Sequence, residues 1–257
     1  MDLDPGENIY GHRQRLHWLR DHLAPDERVV EFGCGTGRLI TLPLRGWGYN
    51  VTGIDLDETS IEHGRRLLGA AGLDPEALQT IDLRDLPGPF DAVIASEILE
   101  HLDDRELAAS LALIRERLAP GGTLLVTTPN GYSLFELENL LWYRTGVDRL
   151  YRRLSSGRLA HRLRRMKAEH ADWSEVPEPM TLADSPHKQR FTWRSIHRIL
   201  VESGFDVVEA RGAILFCGPF TDIAFSGFPR VMALNKKLGR RLPRIASDYY
   251  VAAVKRA

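Results

Sequence analysis

At 257 residues the chain is long enough for one large domain with a full core, or for a domain carrying an insertion. Lys and Arg number 34 against 35 Asp and Glu, so any contact with nucleic acid or a membrane must come from a local patch rather than from net charge. Two cysteines, Cys34 and Cys217, exclude a disulfide framework or a zinc ribbon, no apolar run is long enough to span a bilayer, and "MDLDPGENIYGHRQR" has no signal pattern, which together lead us to expect a cytoplasmic protein.

In chain order, the apolar run "RVVEFG" enters a glycine-rich turn and an expected helix. "NVTGID" and the helix-patterned "SIEHGRRLLGAAG" follow, then "LQTIDL" and "FDAVIAS". The helix "RELAASLALIRERLAP" precedes "GTLLVTTP", where the strand pattern stops. It resumes with the helix "TWRSIHRILVESGF", the strand "DVVEARG" and a closing strand, "SDYYVAAVKR". Short, largely continuous β-branched runs between amphipathic helices predict a parallel sheet covered on both faces, the doubly wound α/β class. Its ligands sit at the carboxyl ends of the strands.

The turn in "VVEFGCGTGRL" lies at such an end. A dinucleotide site wants G-x-G-x-x-G, but here Gly33-Cys34-Gly35-Thr36-Gly37 brings the last glycine one residue early. Glu31 stands just before the loop and no Lys or Arg lies within the glycine cluster. A carboxylate there repels a pyrophosphate and suits an ammonium group. Asp55 ends "VTGID", where it can accept both ribose hydroxyls, and Asp82 ends "LQTID", where it can accept from an adenine amino group. Three acids at successive strand ends fit adenosine carrying an amino-acid tail.

"VVEFGCGTGRL", "VTGIDLD", "FDAVIASEILEHL" and "LAPGGTLLVTTPN" resemble class I S-adenosylmethionine-dependent methyltransferases, nearest to the ubiquinone-biosynthesis O-methyltransferases and their small-molecule relatives. The resemblance implies a mostly parallel seven-stranded sheet with the last strand antiparallel. It assigns S-adenosylmethionine as cofactor, with Glu31, Gly33, Cys34, Gly35 and Gly37 at its methionine part. Asp55 and Leu56 then hold the ribose, Asp82 and Leu83 border the adenine, and Glu97 also belongs to the cofactor site. An arginine of the first helix binds the cofactor carboxylate in such enzymes, and Arg13 falls at the matching place. Residues 1–130 are accordingly the cofactor-binding part of one domain, 131–186 a helical insertion covering the substrate, and 187–257 the C-terminal part of the same domain.

A second constellation is "SEILEHLDD". In a helix, Glu97, Glu100 and His101 share one face at i, i+3 and i+4. His101 can serve as general base toward an acceptor hydroxyl. Alternatively Glu97, Glu100 and His101 join His187 of "SPHKQRFTW" around a divalent metal. A third alternative gives Glu100 and His101 helix-end hydrogen bonds and leaves His187 to order a loop. The E-x-x-E-H set resembles the small-RNA 3′-terminal 2′-O-methyltransferases, but Lys188 and Gln189 depart from their downstream pattern and "HKQRFT" is closer to the small-molecule branch. A non-catalytic cofactor-binding module is a further alternative.

The insertion carries a basic amphipathic stretch, with Val147, Leu150, Tyr151 and Leu154, then Leu159, Leu163 and Met166, among many arginines. Trp142, Tyr143 and Trp173 read either as stacking platforms or as the insertion's own small core, of which the core is the expectation. "FTDIAFSGFPRVMALNKKLGRRLPR" repeats the combination, with Phe225, Phe228, Val231, Met232 and Leu238 as an apolar side and Lys236, Lys237, Arg240 and Arg241 as a basic end. Such elements cover their own core with a solvated outer face, or lie on an anionic surface. They point to a small-molecule or lipid-linked acceptor with peripheral membrane contact, and no recognisable RNA-binding module accompanies them.

Overall fold

The computed structural model describes residue 8 and residues 10–146, 187–218, 220–221 and 228–256. Among these, β1 (Val29–Phe32), β2 (Val51–Asp55), β3 (Leu78–Thr80), β4 (Phe90–Ser96), β5 (Leu118–Pro129), β6 (Phe205–Gly212) and β7 (Asp248–Lys255) form one sheet in the order 3-2-1-4-5-7-6. The first five strands pair in parallel. β7 runs antiparallel between β5 and β6. The doubly wound expectation holds, with the closing strand inserted beside its neighbour.

Side-chain alternation explains why both faces are covered. Val30, Val93 and Leu124 share a core with Leu107, Leu111 and Ile114 of α4 (Asp104–Arg117). Their chain neighbours Val29, Ile94 and Leu125 project the other way, onto Leu16 and Leu19 of α1 (His12–Arg20). Among the described residues the remaining α-helices are α2 (Thr41–Gly46), α3 (Glu58–Ala70), α5 (Leu134–Arg144), α6 (Trp193–Glu202) and α7 (Pro229–Arg241). α4 starts where it does because Asp103 accepts from the Arg105 and Glu106 amides while the Glu106 carboxylate accepts from the Asp103 amide. α1 is fastened to the far edge of the sheet: Trp18 Nε1 donates to Glu209 at 2.9 Å, and His22 contacts the other oxygen at 3.2 Å.

Some expectations change in detail. The strand in "LQTIDL" ends at Thr80, so Asp82 sits in the turn beyond it. The expected helix after β4 is one turn of 3₁₀-helix, Leu99–His101. The apolar side expected in the last basic segment is split, for Met232 is buried against the core whereas Phe228 and Val231 are exposed. Trp142 is buried and meets Phe220 edge-on at 5.0 Å, so the packing described for it is against the C-terminal part of the chain rather than within the insertion. Val147, Leu150, Tyr151, Leu154, Leu159, Leu163, Met166, Trp173 and Phe225 lie outside the described residues, as does the side chain of Tyr143. No helix among the described residues is long and apolar enough to cross a membrane.

Candidate active site

β1 runs out at Phe32 into the glycine loop, and Gly33, Gly35 and Gly37 all take positive φ. A Cβ on Gly33 would stand 2.6 Å from Ile98, so the loop can lie this close to its neighbour only without a side chain. A Cβ on Gly35 would meet no atom within 4 Å. The loop therefore packs tightly behind Gly33 and borders open space at Gly35, as a cradle for a ligand does.

The acids around the loop are engaged with backbone. Asp55 accepts from Gly35 N at 2.8 Å and from Asp57 N at 2.9 Å, tying the loop to the end of β2. Glu31 is 5% exposed, and one of its oxygens accepts from Thr41 N and Oγ1 at 3.0 and 2.5 Å. Burial, opposed by those bonds, pushes its carboxyl up to about 7. Asp82 accepts from Arg84 N at 2.9 Å, and that bond holds its carboxyl below the ordinary range. Cys34 is a thiol well away from ionisation, because burial and the Glu31 and Asp55 charges all push its pKa up.

Of the expected cofactor and metal residues, all but Arg13 and Gly37 line one cavity of about 1650 Å³. Pockets for a single small ligand run to roughly 300–1,000 Å³, so a second ligand can lie beside the first. Gly37 instead sits where a Cβ would come within 2.6 Å of Leu78, shaping the turn from behind.

Arg13 is exposed on α1 and does not reach the cavity wall, whereas Arg15 and His12 line it. Helix register is the cause. The buried Leu16 and Leu19 set the inward face, which His12 and Arg15 share at i, i+3, i+4 and i+7. Arg15 Nη1 lies 3.4 Å from Glu97 Oε1 and 3.4 Å from Ser96 Oγ. Burial works against its charge, but Glu97, Tyr250, Asp248 and Glu100 outweigh it and raise its pKa above the ordinary value. His12 is pushed down to about 3, by burial first and then by Arg15 and Arg38, and stays neutral.

Glu97 is the one non-glycine residue with positive φ among the described residues, at 54°. That backbone costs about 1–3 kcal/mol in a residue with a side chain. It turns the Glu97 carboxylate toward Arg15 and toward Thr127 Oγ1, which donates at 2.9 Å. The expected shared face of Glu97, Glu100 and His101 therefore does not form. Glu100, His101 and His187 do come together, with one ligand atom from each within 4.8 Å of the others. Glu97 is not part of that group.

Glu100 is 2% exposed; burial, and then the Glu97 charge, raise its pKa, opposed by a bond from Thr128 Oγ1 at 3.2 Å. The Glu100 carbonyl accepts from the Lys188 and Gln189 amides at 2.9 Å each, which brings His187 over the site. The rings of His101 and His187 meet edge-on at 5.0 Å. Burial, then the nearness of His187, lowers the His101 pKa, so its imidazole is neutral at pH 7. His101 is 7% exposed and its buried Nδ1 has no hydrogen-bond partner. A buried polar atom without a partner is uncommon and fits a catalytic group or one that meets a water or an ion.

The family profile described as a methyltransferase domain matches residues 9–210. The chain belongs to this methyltransferase family. It is 30% identical over 125 residues to sphingolipid C9-methyltransferase A of Emericella nidulans, covering 47% of this chain and 24% of that one. It is 37% identical over 123 residues to the ubiquinone biosynthesis O-methyltransferase of Xanthomonas campestris pv. campestris, covering 45% and 49%. The chain thus spans half or less of these two curated relatives. Among solved structures it resembles a SAM-dependent methyltransferase from Archaeoglobus fulgidus, with TM-score 0.57 and 21% identity over 98% of this chain and 96% of that one. Magnesium protoporphyrin IX methyltransferase from Synechocystis PCC 6803 with bound SAH gives 0.55 and 16%, over 96% and 82%. These likenesses establish the methyltransferase fold, with its last strand antiparallel.

Among the cavity residues that a reading of the sequence alone does not single out are His12, Arg15 and Asp248. The register of Leu16 and Leu19 contains the signal for the first two. Asp248 opens β7, and because that strand is antiparallel its beginning lies at the same edge as the ends of β1, β2 and β4. Burial, then Glu97, raises the Asp248 pKa, partly offset by Arg15.

Proposed function

We propose that this chain transfers a methyl group from S-adenosylmethionine to an oxygen of a small-molecule or lipid-linked acceptor. One observation carries the reading: the cavity bordered by the open side of Gly35, Asp55 and Asp82 also holds buried His101 with an unpartnered Nδ1. When bound, S-adenosylmethionine supplies a methyl group on a positively charged sulfur. Glu31 receives its ammonium, Arg15 rather than the exposed Arg13 its carboxylate, Asp55 and Leu56 the ribose, and Asp82 and Leu83 the adenine. A guanidinium lining the cavity is suited to a carboxylate by its paired donors. Neutral His101 takes the acceptor's proton, and orientation of the acceptor supplies much of the remaining acceleration. One relative is named for a sphingolipid and another for ubiquinone biosynthesis and O-methylation, which supports this acceptor class. Phe135 of α5 lines the cavity, which supports residues 131–186 as the acceptor's cover between the two parts of one domain.

A second reading is favoured by the convergence of Glu100, His101 and His187. Two imidazoles and a carboxylate fit a divalent cation, which would hold an acceptor oxygen and lower its pKa. Glu97, tied to Arg15 and Thr127, is not needed for it. The test is to incubate the protein with methyl-labelled S-adenosylmethionine and lipid, RNA and water-soluble extract fractions, each with and without chelator. Label in the lipid or soluble fraction, unaffected by chelator, supports base catalysis. Chelator-sensitive label supports the metal, label in RNA overturns the acceptor class, and cofactor binding without transfer to any fraction makes the chain a binding module.

A further inference from the structure

We infer that α7 and the turn after it form a docking surface for an anionic lipid bilayer. From Phe228 to Ser247 the chain carries six cationic side chains, Arg230, Lys236, Lys237, Arg240, Arg241 and Arg244, and no Asp or Glu. The helix buries Met232, Asn235 and Gly239 on its inner side. Its opposite side presents Arg230, Leu234, Lys237 and Arg241 at i, i+4, i+7 and i+11, all exposed. Among the described residues none of these three cations makes an ion pair.

Apolar groups stand out between the charges. Leu234 is 56% exposed and Phe228 54%, with Leu242 and Ile245 each at 43%. A nucleic-acid surface would use the cations on phosphates but gain nothing from aliphatic side chains left in water. An anionic bilayer uses both, with cations at the headgroups and the apolar side chains at the acyl boundary. The combination therefore commits the surface to lipid.

The surface is coupled to the cavity by its buried side. Asn235 accepts from Phe216 N at 3.0 Å and donates to Phe216 O at 2.7 Å, and the next residue, Cys217, lines the cavity. At the other end of the helix the chain passes through Pro243–Ile245 to Ser247 and Asp248, which line it too. α7 is thus joined through Asn235 and through its C-terminal end to stretches of chain that form the cavity wall. This deepens the acceptor reading and rests on it in one respect: the acceptor is then drawn from the membrane rather than from water.

The test is flotation of the purified chain with phosphatidylcholine vesicles, with and without phosphatidylglycerol. The wild type is expected to float only with phosphatidylglycerol, and less as salt is raised. Replacing Arg230, Lys237 and Arg241 together by Ser should weaken partitioning by about a hundredfold, roughly fivefold for each charge. Leu234→Ser should weaken it without changing the salt dependence, a result that plain charge attraction does not give. Absence of flotation, equal flotation of the triple variant, or binding to RNA in place of vesicles overturns the proposal. Circular dichroism reports folding of the variants, and S-adenosylmethionine binding is measured by calorimetry on the same preparations. That binding separates the two ideas: flotation without cofactor binding removes the methyltransferase reading alone, and cofactor binding without flotation removes the docking surface alone.

Discussion

Glu31→Gln tests the chemistry of the proposed cofactor site most directly. Burial moves the Glu31 carboxyl from the ordinary 4.5 to about 7 in the folded protein. Below 4.5 the folded and unfolded chains both hold the proton, and the site contributes nothing to the pH dependence. Between 4.5 and 7 the unfolded chain loses its proton while the folded chain keeps it, so stability falls as pH rises. Well above 7 the fall is complete, and the move from 4.5 to about 7, at about 1.4 kcal/mol per pH unit, makes it about 3.5 kcal/mol. A glutamine in place of Glu31 cannot ionise, yet its side-chain carbonyl oxygen can accept both Thr41 bonds. Urea unfolding of the ligand-free proteins should therefore show similar stabilities near about pH 5, with the variant ahead by up to about 3 kcal/mol near about pH 8. Parallel pH profiles would refute the argument. The cofactor should reverse the ranking. If its ammonium meets Glu31, binding near pH 7 favours the ionised carboxylate and expels a proton, measurable by calorimetry in buffers of different ionisation heat. The variant should release none and bind about 10- to 100-fold more weakly, as expected for a lost hydrogen bond to a charged group. Equal affinity would remove Glu31 from the cofactor site.

Three further substitutions separate roles within the cavity. Arg15→Ala should weaken cofactor binding by about tenfold or more and destabilise the fold by about 1–3 kcal/mol through the stranded Glu97, while Arg13→Ala changes neither; a larger loss from Arg13→Ala would reverse the assignment. Gly35→Ala should cost the fold only about 1–2 kcal/mol for its left-handed backbone yet abolish cofactor binding, because the methyl enters open space that a ligand needs. Binding that survives would place the cofactor elsewhere. His101→Ala should keep cofactor affinity and lower turnover by about 10²- to 10⁴-fold; unchanged turnover on the labelled acceptor fraction would exclude it as base.

Periodicity made most of the fold legible. Strand-like runs and amphipathic helices alternate in "RVVEFG", "NVTGID" and "FDAVIAS", and each forms the expected strand. The glycine loop and its flanking acids are likewise readable, since Glu31, Asp55 and Asp82 stand within a few positions of the turns at the strand ends. Arg13 shows where local reading stopped: counting from a motif locates a helix but not its rotation, which Leu16 and Leu19 settle by burial. Glu97 shows a second limit, because helical spacing gave it one face with Glu100 and His101, whereas its left-handed backbone lies ahead of the short turn that carries the other two.

By itself, then, the sequence determined the class of sheet, the position of the glycine turn and the acidic character of the cavity edge. Hydrophobic period and turn chemistry are local properties, written in residues a few positions apart. Only the tertiary structure decided that Arg15 faces the cavity, that His187 arrives beside His101 by way of two amides on the Glu100 carbonyl, and that Asp248 joins the same edge from an antiparallel strand. These depend on helix rotation, loop return and strand direction. All three are settled by packing between distant parts of the chain.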